Sequence, residues 1–213
     1  MATYPQLAQE PEWSREFVPP NLQRLVDGLR AHFNVGPTAI GCKGDNNHLS
    51  GYHRSDEWLA NSIYCTNRTY SRTETAGNRE PGDRRWLCGM DIGGMPQAEL
   101  IDMCRRLDLA VRAGQLEKVT QWFGNLGGDL RVDGYNNILN ALATSDSSHL
   151  YHLHLSFDRG RANEDHSDLL AVLIGDDMIS GMLCQFGDKG PVVGALQRML
   201  NVIEPTNLIP ENN

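Results

Sequence analysis

Apolar positions repeat at helical spacing in two stretches of the chain. Leu22, Leu25, Val26 and Leu29 fall at i, i+3, i+4 and i+7 behind Pro19 and Pro20, which predicts a helix with one buried face ending near Asn34 to Gly36. Pro96 opens a second helix, with Leu100, Met103, Cys104 and Leu107 on its buried side. Residues 168–174 form a shorter apolar run, also read as helical. Strict alternation is clearest in residues 150–157, where Tyr151, Leu153, Leu155 and Phe157 fall on one face of a strand and His152, His154 and Ser156 on the other. Residues 38–42, 86–92 and 119–123 are further strand candidates, the second broken by Gly93 and Gly94. The remainder is polar or punctuated by glycine. Residues 1–18 read as a loosely held arm, 61–85 as a long surface excursion, 124–134 as a turn region, 135–142 as a short helix or turn, and 175–190 as a linker. The stretch 44–58, GDNNHLSGYHRSDEW, is the kind of loop that carries functional groups. One main domain over 19–174 is expected, between the arm and a tail over 175–213.

Composition narrows the function. A chain of 213 residues with 40% apolar content suffices for one core. The net charge of -8 argues against a nucleic-acid surface, which needs clustered Lys and Arg. No run approaches eighteen apolar residues and MATYPQLAQEPEW lacks the order of a secretion signal, so a soluble chain made in the cytoplasm is expected. The five cysteines are odd in number and include no CxxC pair, which favours reduced, buried thiols over a disulfide framework or zinc ribbon.

The strand carrying His152 and His154 brings in metal chemistry. A catalytic zinc ion takes three protein ligands and leaves a position for water. In a strand, His-x-His places both rings on one side, about 6.5 to 7 Å apart along the chain, so that one ring can bind metal while the other faces substrate. Residues 148–154, Ser-His-Leu-Tyr-His-Leu-His, resemble the C-terminal motif of the LAS group of metallopeptidases, the D-alanyl-D-alanine carboxypeptidases and related murein endopeptidases. The resemblance implies that His154 is a zinc ligand and His152 the acid/base group. The group's other motif is S-x-H-x-x-G-x-A-x-D. Residues 50–54, Ser-Gly-Tyr-His-Arg, resemble its beginning and residues 88–92, Cys-Gly-Met-Asp-Ile, its end, which assigns His53 and Asp91 as the remaining ligands. The two lie 38 positions apart, a departure that an insertion of the polar residues 55–85 reconciles, and His48 is the substitute for His53. Arg54 is a candidate to orient a substrate carboxylate or stabilise an oxyanion. Asp146 is a candidate base, His149 a hydrogen-bonding support, and His32 and His166 are bystanders.

Residues 186–200 are similar to the start of the peptidoglycan-binding helical repeat, G-x-x-G-x-x-V-x-x-L-Q-x-x-L, over about its first helix. Together the two resemblances imply a bacteriophage endolysin, a zinc peptidase that cuts an amide bond in the stem peptide or cross-link. Its fold is expected to be α+β, helices packed on a small antiparallel sheet whose open face carries the zinc. Its partner is expected to be bacterial peptidoglycan, with no nucleic acid and no membrane. The chain is expected to act as a monomer, made in the host cytoplasm and working at the cell wall. The rival classes are a non-catalytic wall-binding or virion structural protein of the same fold, and a metal-dependent nuclease, which the acidic balance disfavours.

Overall fold

The computed structural model describes residues 2–72 and 82–176. Each periodic stretch forms the element it predicts. Helix α3 (Pro20–Phe33) ends at Asn34, whose left-handed φ of 51° caps it, and buries Leu22, Leu25, Val26 and Leu29. Helix α5 (Gln97–Arg112) starts behind Pro96 and buries Leu100, Met103, Cys104 and Leu107, and α6 (Ser167–Ile174) ends at Gly175. Around them run β1 (Ile40–Gly41), α4 (Asp56–Asn61), β2 (Gly89–Ile92), β3 (Val119–Gly124), β4 (Asp133–Asn136), β5 (Ala141–Leu142) and β6 (Leu153–Phe157).

The fold is α+β. The strands form one six-stranded sheet in the order β1-β2-β6-β3-β4-β5, every neighbouring pair antiparallel. Alternation then sorts side chains between its faces. Met90, Ile92, Trp122, Leu153, Leu155 and Phe157 pack with the apolar sides of α3, α5 and α6 into the main core. The other face receives Asp91, His154, Ser156, Gln121 and Phe123, because the register sets Asp91 opposite His154 and His154 opposite Phe123. Polar side chains of β2 and β6 are thus neighbours because the apolar ones are committed to the helices.

Four sequence expectations need correction. Residues 1–18 are not a loose arm: they fold into α1 (Tyr4–Leu7) and α2 (Pro11–Arg15), and Leu7 and Trp13 bury against Trp58 and Leu59 of α4 in a second small core. Backbone hydrogen bonds from Phe17 to Arg85 and from Leu87 to Phe17 tie this segment to the approach to β2. The described part of 61–85 is not merely a surface excursion, since the Tyr70 hydroxyl donates to Gln121 (2.8 Å) and the buried Ser71 carbonyl accepts from Arg159 (2.9 Å). Of the two readings offered for residues 135–142, short helix or turn, the turn holds for 137–140, flanked by the strands of the β4-β5 hairpin. Strand β6 starts at Leu153; Ser147–Leu150 before it is a 3-10 turn.

Cys42, Cys88 and Cys104 are buried and unpaired, and burial pushes the thiols of Cys88 and Cys104 up to about 11. Among the described residues no helix is long and apolar enough to cross a membrane. The segment 186–200 and nearly all of the linker lie outside the described residues.

Candidate metal centre

Three side chains from three separate places meet on the face of the sheet opposite α3, α5 and α6. Asp91 comes from β2, His154 from the adjacent position of β6, and His53 from the loop before α4. Asp91 Oδ1 lies 2.8 Å from His154 Nδ1 and 3.1 Å from His53 Nε2, and the two ring nitrogens are 3.1 Å apart. The residue separation of 38 between His53 and Asp91 is bridged in space because Cys88 N donates to the Tyr52 carbonyl at 2.9 Å, which lays the loop along the start of β2. Gly89 permits that approach: a Cβ there would meet backbone atoms of Tyr52 and His53 at 3.0 Å.

The ring orientations are set by outer partners. His53 Nδ1 donates to the Cys42 carbonyl at 2.8 Å, which turns Nε2 toward Asp91. His154 Nε2 lies 3.0 Å from the Ser156 hydroxyl, which turns Nδ1 the same way. A ring nitrogen anchored by an outer partner, with the other turned into the centre, is the usual condition of metal-ligating histidine. His53 and His154 are 4% and 8% exposed, and Asp91 is half-buried.

The electrostatics of the trio are those of a group short of positive charge. Burial alone would raise the Asp91 carboxyl, but His53 and the hydrogen bonds from His154 and His53 outweigh it and hold it far below the usual carboxylate range. Burial disfavours a proton on His53 as well, yet the Asp91 carboxylate beside it wins and its pKa is raised. His154 is pushed down to about 4, by burial first, against the opposing hydrogen bond to Asp91.

These residues fit a divalent cation. Zinc bonds of about 2.0 to 2.1 Å in a tetrahedron separate ligand atoms by roughly 3.4 Å, and the 2.8 to 3.1 Å seen here needs only a few tenths of an ångström of expansion. Two imidazole nitrogens and a carboxylate oxygen suit zinc chemically. His48 completes an overlapping set: one ligand atom each of His48, His53 and Asp91 lies within 4.8 Å of the others.

His152 lies at the mouth of the centre, half-buried, its Nε2 3.5 Å from Asp91 Oδ1. Burial lowers its pKa, with the Asp91 carboxylate opposing. His149 packs against it at a tilt, ring centroids 4.7 Å apart, and its Nδ1 donates to the Asp146 carbonyl at 3.1 Å. Asp146 itself does not join the centre. Its side chain is 71% exposed and caps the 3-10 turn, accepting from Ser148 N at 3.0 Å.

Arg54 is the main correction. It is 0% exposed, and its guanidinium donates to Glu16 (3.0 Å) and to the carbonyls of Gly44 (2.5 Å), Asp45 (2.6 Å) and His48 (2.7 Å). Trp13 stacks 3.8 Å from it. Each of its directions is taken, so it does not meet substrate; it staples the 44–48 loop beside His53. Sequence reasoning passed over its partner Glu16, an acidic residue in an apparently polar arm, and also Asp45, three positions before His48. Ser156 was placed on the histidine face by alternation, although not as a partner of His154.

No family model, curated protein or solved structure matches this chain.

Proposed function

We propose that the chain is a zinc-dependent hydrolase that cuts an amide bond in the peptide part of bacterial peptidoglycan. The observation that carries the metal-hydrolase reading is the convergence of His53 Nε2, Asp91 Oδ1 and His154 Nδ1 within 3.1 Å of one another, beside the half-buried His152. Zinc in such a set supplies Lewis-acid polarisation of a carbonyl and acidifies water near neutral pH. The chain's own groups divide the remaining work. His53 and His154 hold their rings in place through Cys42 and Ser156, and Asp91 provides the negative charge that favours a cation. His152, within 3.5 Å of Asp91 Oδ1, is placed to accept a proton at Nε2 and return it to the leaving amine. Phe123, opposite His154 in the register, gives the same face an apolar wall. The substrate class rests on the likeness of residues 50–54, 88–92 and 148–154 to LAS peptidase motifs and of 186–200 to a wall-binding repeat.

The test is mass spectrometry of fragments released from purified peptidoglycan by the zinc-loaded chain, with His154→Ala as control. Stem-peptide fragments from the wild type and none from the variant are expected. Intact peptidoglycan with a fully zinc-loaded chain would overturn the hydrolase reading in favour of a non-catalytic wall-binding or structural protein.

A further inference from the structure

His48 is built into this centre more firmly than a bystander would be. Its ring meets that of His53 edge to face, centroids 4.8 Å apart. Its Nδ1 faces Asp45 Oδ1 at 2.9 Å, a carboxylate that can only accept from a ring N–H, so in the neutral ring the lone pair is on Nε2. The backbone on both sides is held, because Arg54 donates to the carbonyls of Gly44, Asp45 and His48. The fit is close enough to exclude a methyl group: a Cβ on Gly44 would lie 2.5 Å from His48 Cβ and 2.9 Å from His53 Cβ. A carboxylate behind one ring nitrogen and an open lone pair on the other is the arrangement that second-sphere partners give a ligating histidine. Its ligand atom lies within 4.8 Å of those of His53 and Asp91.

We propose that His48 is a fourth protein ligand of the centre, so that the resting shell holds three imidazoles and one carboxylate, and that rotation of its side chain alone opens a position for substrate. The ring is the part free to move. Its side chain is 40% exposed, whereas its backbone is stapled to the fully buried Arg54. This rests on the metal reading above and adds to it a closed resting state.

The test uses the full-length chain loaded with zinc, X-ray absorption at the zinc edge to count imidazoles, and acetohydroxamate as a small zinc-binding probe. Wild type is expected to give three imidazoles and His48→Ala two. His48→Ala is expected to bind zinc about 10- to 100-fold more weakly yet to bind hydroxamate more tightly, since no side chain must leave first. Asp45→Asn, which keeps the ring but loosens it, is expected to fall between. Circular dichroism of the metal-free variants confirms that folding is unchanged at this half-exposed position. Two imidazoles in both wild type and His48→Ala, with equal zinc affinity, would overturn the fourth ligand while leaving the three-residue centre standing. Failure of the wild type to bind zinc at all would overturn both readings together.

Discussion

Replacing Arg54 by Met keeps most of the volume and removes the charge and its donors. The guanidinium has no exposed surface and makes one ion pair with Glu16, also without side-chain exposure, and three hydrogen bonds to loop carbonyls. Burial is the largest influence on both partners, raising Glu16 and lowering Arg54, and their mutual attraction opposes it on both sides. Removing one member of such a pair costs about 3 to 5 kcal/mol, and Glu16 is then left with only Lys43, at 3.8 Å, and the Ser55 N–H as partners. At roughly 2 to 4 °C per kcal/mol for a domain of this size, Arg54→Met is expected to melt about 6 to 20 °C below wild type. Urea denaturation followed by circular dichroism gives the free energy directly. The double variant Glu16→Gln/Arg54→Met leaves Ser55 N, which donates to Glu16 at 2.8 Å, a neutral acceptor and removes the stranded charge. It is expected to regain part of the loss, though not the zinc affinity, because the 44–48 carbonyls remain unstapled. An Arg54→Met protein of wild-type stability that binds zinc normally but no longer cleaves substrate would refute this reasoning and return Arg54 to a substrate-binding role.

Zinc at 100 times its dissociation constant is expected to stabilise the wild type by about 2.7 kcal/mol, and calorimetry should find that shift absent in Asp91→Ala and His154→Ala. Asp56, at the start of α4, is depressed below its ordinary 3.8 because hydrogen bonds and charges from Arg72 and Arg84 outweigh its burial. Its contribution is therefore present above about pH 4 and lost as the pH falls through the depressed folded value. Asp56→Asn is expected to be on the order of 1 kcal/mol less stable than wild type at neutral pH, with the difference vanishing in acid; a constant difference across a pH series of melts would contradict the pairing. Leu155 is fully buried between sheet and helices, and Leu155→Ala is expected to lose about 2 to 5 kcal/mol in denaturant melts.

The pattern of apolar positions sufficed for α3, α5, α6, β2, β3 and β6, because an element that buries one face must repeat with its own geometric period. The same alternation put His154 and Ser156 on a shared face before any coordinates, and it holds because Leu153, Leu155 and Phe157 have nowhere to go but the core. Short elements carry no such period. Helices α1 and α2, of four and five residues, are fixed by Leu7 and Trp13 finding Trp58 and Leu59, some fifty positions away. The β4-β5 hairpin is likewise legible only once β3 is beside it.

The sequence by itself therefore determined which faces of the longer helices and strands must be buried, and that His53, Asp91 and His154 are of residue types able to ligate a metal. Only the tertiary structure decided that they converge, since register between β2 and β6, and the loop laid along Gly89, depend on contacts between distant segments. It also decided the fate of Arg54, whose residue type suits a substrate site and a buried staple equally. What separates those two roles is whether Glu16 and three carbonyls or solvent surround the guanidinium, and the chain order of charges does not encode that.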